Sequence, residues 1–212
     1  MGQQYGPRLC PKRAQVVALY TEPSADSTTL CVDELGPVIP RTFPPAAGWS
    51  PTGHRIKAPL EYSRGMEKVW VYGALRVGDG QVITLTAPSR NTAGYLQLLT
   101  ALVEANPTGT LNIVMDNLSS HTSAPVREWL AGQPRVTQVP IPTGACWLNL
   151  QEGWWRLFRN EAFAGQTFAD AAEITQATAL ATRHLNRRAK PWVWGRPAPQ
   201  HRHLRRCFTY RL

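Results

Sequence analysis

Apolar and polar positions along this chain follow two periods. Thr28–Asp33 and Leu111–Asp116 are short apolar runs that each stop on an aspartate, the pattern of strands buried on both faces. Val69–Val77, the turn Gly78-Asp-Gly80 and Gln81–Thr86 read as a β-hairpin, and Val136–Pro140 reads as a fifth strand. Tyr95, Leu98, Leu99, Leu102 and Val103 recur at helical spacing, with Asn91 or Thr92 as the cap and Asn106-Pro-Thr-Gly109 as the stop. The spacing predicts further helices over Lys12–Tyr20, over Ser123–Leu130 and from about Trp147 to Glu161. A last helix to about Leu185 is opened by a capping box at Thr167-Phe-Ala-Asp170. Between strands one and two, residues 36–63 are rich in proline and glycine and predict a long excursion with at most short strands.

A hairpin that follows strand one makes three antiparallel strands. The order helix, strand, helix, strand then adds parallel neighbours, because crossovers through helices return the chain in the same direction. The expected fold is α/β, a mixed five-stranded sheet flanked by helices in a ribonuclease H-like order. At 212 residues, 43% hydrophobic and 17% charged, the chain suits one α/β core. No apolar run reaches the roughly 18 residues of a membrane span, and the first residues lack the apolar stretch of a secretory signal, so an intracellular, cytoplasmic protein is expected. Cys10, Cys31, Cys146 and Cys207 have no paired spacing, which excludes an encoded zinc site or disulfide framework and leaves core packing as their role.

Charge changes the picture more than composition does. The net +9 comes wholly from residues 174–212, which hold nine Lys and Arg and no acid. Such a segment, interleaved with Trp192, Trp194, Phe208 and Tyr210, points to a polyanion, since each neutralised phosphate releases counterions and bases stack on aromatic rings. Arg183, Arg187, Arg188, Lys190, Arg202, Arg205 and Arg206 are the candidate DNA contacts; a merely solvated end is the bland alternative.

The two strand-end aspartates and Glu152, on the aromatic-rich helix, are the candidate chemistry. Carboxylates a few ångströms apart repel, so a fold keeps them together only with protons or cations between them, and hard divalent cations take oxygen ligands. A Mg²⁺ site follows.

Four separated motifs carry a resemblance. Cys31-Val-Asp-Glu34, Met115-Asp-Asn-Leu-Ser-Ser-His121, Pro142 to Trp154 with Trp-Leu-Asn-Leu-Gln-Glu152, and Lys190-Pro-Trp-Val-Trp194 together resemble the catalytic (DDE) domain of mariner-related bacterial insertion-sequence transposases. The likeness spans residues 12–194, with 1–11 as a lead without a helix-turn-helix and 195–212 as a basic extension. Asp33 and Asp116 are separated by 82 residues, and Asp116 and Glu152 by 35; the second gap is close to the family's narrow preference. The resemblance implies that Asp33, Asp116 and Glu152 hold two Mg²⁺ ions, which Mn²⁺ can replace, with Asp33 bridging them. It implies hydrolytic cleavage of double-stranded DNA at transposon ends and strand transfer to a target, by a homodimer on DNA. Glu34, Asn117, His121 and Asn149 are the supporting polar groups that it suggests, with Asn149 one helical turn before Glu152. Read without it, Glu34 is a solvent-facing acid, Asn117 a turn former and His121 a helix cap. Trp147, Trp154, Trp155 and Phe158 are expected in the core and in helix packing, with a stacking surface for DNA bases as the minority reading. Gly144 departs from the family pattern. A DNA-binding remnant without catalysis and another ribonuclease H-like nuclease are the alternatives.

Overall fold

A computed structural model describes residues 11–40 and 67–195. The elements are α1 (Pro11–Thr21), β1 (Ser27–Val38), β2 (Val69–Arg76), β3 (Val82–Ala87), α2 (Thr92–Ala105), β4 (Thr110–Met115), α3 (Ala124–Ala131), β5 (Val136–Pro140), α4 (Leu150–Ala162) and α5 (Ala171–Arg187). The strands form one sheet in the order β3-β2-β1-β4-β5. β1, β2 and β3 pair antiparallel, and β4 joins β1, and β5 joins β4, in parallel. This is the mixed, ribonuclease H-like arrangement expected from the pattern of elements.

Alternation along β1 sends side chains to two separate cores. Cys31 and Leu35, with Val71, Leu75, Val114 and Val139, face Trp154, Trp155 and Phe158 of α4 and Ala181 and Leu185 of α5. Leu30 and Val32, with Tyr72, Ala74, Ile113 and Met115, face Tyr95, Leu98, Leu99 and Leu102 of α2 and Val126 of α3. Each of the larger side chains contributes about 1.5–3 kcal/mol by leaving water. Asn91 caps α2 as read from the sequence, its side chain accepting from the Gly94 N–H.

Three element boundaries differ from expectation. β1 continues past Asp33 to Val38 because β2 still pairs with it, whereas β4 pairs only as far as Cys31. Gly36 and Pro37 therefore sit where β1 has a neighbour on one side only, the setting in which a strand tolerates proline. α4 begins at Leu150, after a 3-10 turn at Cys146–Leu148, so Asn149 is its cap rather than a helical residue. The capping box of α5 is shifted: Asp170 Oδ1 accepts from the Glu173 N–H, and Glu173 Oε2 accepts from the Ala169 N–H. Most of the proline-rich excursion, the first ten residues and 196–212 lie outside the described residues, as do Cys10, Arg202, Arg205, Arg206, Cys207, Phe208 and Tyr210.

After α5 the chain returns across the sheet. Trp192 donates its backbone N–H to Val77 O, and its ring lies where a Cβ on Gly153 would come within 2.8 Å.

Candidate active site at the strand ends

Register sets the site. Cys31 pairs with Val114 across the parallel β1–β4 ladder. Two residues further along each strand, where that ladder has ended, stand Asp33 and Asp116. Asp33 follows the Cys31 side of the pleat, towards α4, whereas Asp116, the first residue beyond β4, turns to His121, whose ring lies against Tyr95 of α2.

α4 brings the third acid. Asn149 is buried, donates to Val32 O at 2.8 Å and accepts from the Gln151 N–H, so it ties the first turn of the helix to the residue before Asp33. Its role is thus a clamp between strand and helix, played from the cap position one turn before Glu152. Trp155, one turn after Glu152, donates its indole N–H to Asp33 Oδ2 at 3.0 Å. The Trp155 indole and the Gln151 amide fit because β2 has Gly73 opposite Asp33: a Cβ there would fall 2.5 Å from Trp155 and 2.6 Å from Gln151 Nε2.

The two aspartates experience opposite fields. Burial, and then the charge of Glu152, push the Asp33 carboxyl up to about 7. Asp116 moves down, first through its hydrogen bond with His121, against the cost of burial, with help from the Leu118 N–H and from the charges of His121 and Arg90. His121 is fully buried in the 3-10 turn Ser119–His121. Its Nδ1 lies 3.0 Å from Asp116 Oδ1 and its Nε2 2.9 Å from Glu34 Oε1, while its ring stacks on Tyr95 with centroids 4.0 Å apart. Burial opposes a charge on His121, yet the bonds to Asp116 and Glu34 outweigh it and raise the imidazole to about 9.

Glu34 is therefore not solvent-facing: its side chain is 2% exposed and points to the α2 face, away from Asp33. His121 does not cap α3 either; it joins Glu34 to Asp116. Asn117 donates to Ile141 O at 2.7 Å and fixes the turn after β4. Trp154, Trp155 and Phe158 are core residues as expected, but Trp147 is 51% exposed.

The structure brings two of the three acids within reach of each other. The charge of Glu152 reaches Asp33, whereas Asp116 has its Oδ1 taken by His121 and the Leu118 N–H. Among the described residues, no three His, Cys, Asp or Glu side chains are already arranged to hold a metal ion. The donor chemistry nonetheless suits a hard cation: Asp33 and Glu152 offer oxygen only, and their repulsion is what such an ion relieves. Gln151, fully buried between α4 and β2, has neither amide atom in a hydrogen bond.

The described cations singled out from the sequence lie elsewhere. Arg188 pairs with Glu161 at 2.6 Å, and Arg183 and Arg187 line a groove with that same residue, in the last turn of α4. Lys190 lies against Gly80, at the β2–β3 turn near the start of β1. Sequence reading missed Arg90, Trp155 and Gln151; only Trp155 left a signal there, its i+3 spacing from Glu152.

Comparison with known proteins places these features. A catalytic core domain of BIV integrase, known from a crystal structure, superposes with a TM-score of 0.47 and 15% identity over 83% of this chain and 88% of that one. A Shigella sonnei protein described as "Insertion element IS630 uncharacterized 39 kDa protein" is 29% identical over 91 residues, 42% of this chain. The matched stretch spans 26% of that relative's length. No described helix is long and apolar enough to cross a membrane. A family model for DDE superfamily endonucleases matches residues 28–175, from β1 into α5 and across all three acids, and the chain belongs to that family.

Proposed function

We propose that this domain is the catalytic part of a transposase, cutting double-stranded DNA at the ends of an insertion element and joining the freed end to a target. The observation that supports the reading is the approach of Glu152 to Asp33: burial first, and then the charge of the exposed Glu152 carboxylate, raise the half-buried Asp33. Held there, divalent cations supply the chemistry, lowering the pKa of the attacking oxygen and steadying the leaving one. Asp33, Asp116 and Glu152 are the residues to bind two such ions, Mg²⁺ or Mn²⁺.

The rest of the site orients those acids. Trp155 fixes one oxygen of Asp33, and Asn149 fixes the start of α4 and so the height of Glu152. His121, steadied by Glu34, holds Asp116 by Oδ1, leaving Oδ2 clear of that bond. Action as a homodimer on DNA, in the cytoplasm beside the nucleoid, belongs to the same reading.

Nicking of DNA that carries the element's terminal repeats tests it. With Mg²⁺ or Mn²⁺ the wild-type chain cuts, while Asp33→Ala, Asp116→Ala and Glu152→Ala lose about a thousandfold, about 4 kcal/mol of transition-state stabilisation. Equal cleavage by wild type and variants sinks the assignment. Binding without any metal-dependent nicking favours the non-catalytic remnant.

A further inference from the structure

Phosphate approaching three carboxylates meets like charge, so a DNA-cutting site needs cations and stacking surfaces beside its acids. Two arginine–tryptophan pairs flank the acid-bearing end of the sheet, one on each face. On the α2 face, Arg90 lies 4.7 Å from the centroid of Trp70 and close enough to Asp116 to favour its charge. On the α4 face, Arg13 lies 4.9 Å from the centroid of Trp147.

The second pair is built to meet a ligand. α1 runs against β1, since Thr29 Oγ1 donates to Leu19 O and Tyr20 to Leu148 O, so its first turn, with Lys12 and Arg13, points towards the acid end. Trp147 precedes Asn149, the cap of the helix that presents Glu152 in its first turn. Trp147 stacks on Trp194, with centroids 5.9 Å apart and planes at 23°, and Trp194 leans in turn on Tyr20 at 5.6 Å. Even so, Trp147 keeps half its surface in water, whereas Trp154 and Trp155 of the following helix are buried. α1 contains no acid, and the sequence after Gly195 continues with five arginines and no acid through residue 212.

The geometry points to Arg13, Trp147 and Trp194 as the platform on which a DNA strand rests as it enters the acid site, Arg13 meeting a phosphate and Trp147 a base. This rests on the reading of the site as DNA-cutting. It moves the described docking surface away from Arg183, Arg187, Arg188 and Lys190, which lie by Glu161 or by the β2–β3 turn.

Binding of a labelled DNA oligonucleotide with a duplex–single-strand junction, to the full chain in EDTA, tests the platform apart from cleavage. Trp147→Ala weakens binding about tenfold, the size of one lost stack, and Trp147→Phe restores most of it. Arg13→Ala weakens binding similarly and lowers the slope of log affinity against log salt by about one. Arg187→Ala with Lys190→Ala stays within about twofold of wild type. Unchanged affinity in Trp147→Ala and Arg13→Ala, both folded by circular dichroism, overturns the platform, as does a larger loss in the α5 double variant. If the wild-type chain binds no DNA at all, the DNA-cutting reading falls with it.

Discussion

Asp33 and Asp116 each follow the Cys31–Val114 pair by two residues, yet their surroundings pull them in opposite directions. Asp33 is buried next to another carboxylate, with one indole N–H as its side-chain partner, and its acidity falls. Asp116 is 44% exposed and held by a buried histidine that a second acid keeps charged. One aspartate is left with unrelieved charge and the other has been supplied with a cation by the fold itself. Register alone does not make two acids alike; the difference comes from the carboxylate met on each face of the sheet, Glu152 of α4 near Asp33 and Glu34 of β1 against His121.

Breaking the Asp116 side has the larger effect. His121→Ala leaves Glu34 buried without a partner, and removing half of a buried charged pair costs about 3–5 kcal/mol. Urea unfolding at pH 7 reads this directly, with Glu34→Gln as a milder companion; stability equal to wild type in both would mean that the bonds to His121 contribute nothing.

The Asp33 side responds to pH. Its folded-state pKa of about 7 exceeds the ordinary 3.8, so between those values the folded chain holds a proton that the unfolded chain has lost. Stability therefore falls as pH rises from about 4 to 7 and stays low above that, by no more than about 4 kcal/mol at 1.36 kcal/mol per unit. Asp33→Asn flattens this slope, and Mg²⁺ at pH 8 raises the melting temperature of wild type but not of the variant. A wild-type slope of the opposite sign over that window contradicts the assignment.

Gln151→Leu sharpens the same side by the smallest margin. An amide with both atoms buried and unpaired costs more than an apolar group of similar shape, so the variant gains about 1 kcal/mol in urea unfolding. A loss of that size would show that the amide has a partner in solution.

Local pattern carried most of the frame. The hairpin, the apolar face of α2 and the end of β4 before Asp116 depend on neighbours within a few residues, and each stands where the sequence puts it. The start of α4 does not, because Asn149 caps it by bonding Val32, more than a hundred residues away. Glu34 reads as a surface acid until the turn after β4 brings His121 against it. Trp147 reads as core because nothing in its helical spacing reveals that the helix has not yet begun. The reach of β1 past Gly36-Pro37 was hidden for a similar reason, since one-sided pairing is a property of the sheet.

Trp192 has a consequence for how the domain comes together. Synthesis from the N-terminus makes β1 to β5 before α4, so Asp33 and Asp116 are in the chain before Glu152 is added. The ring that closes over Gly153, at the turn presenting that third acid, arrives nearly forty residues later still, after α5. Contacts so distant in the chain form slowly, and assembly of the site therefore ends with its last-made wall.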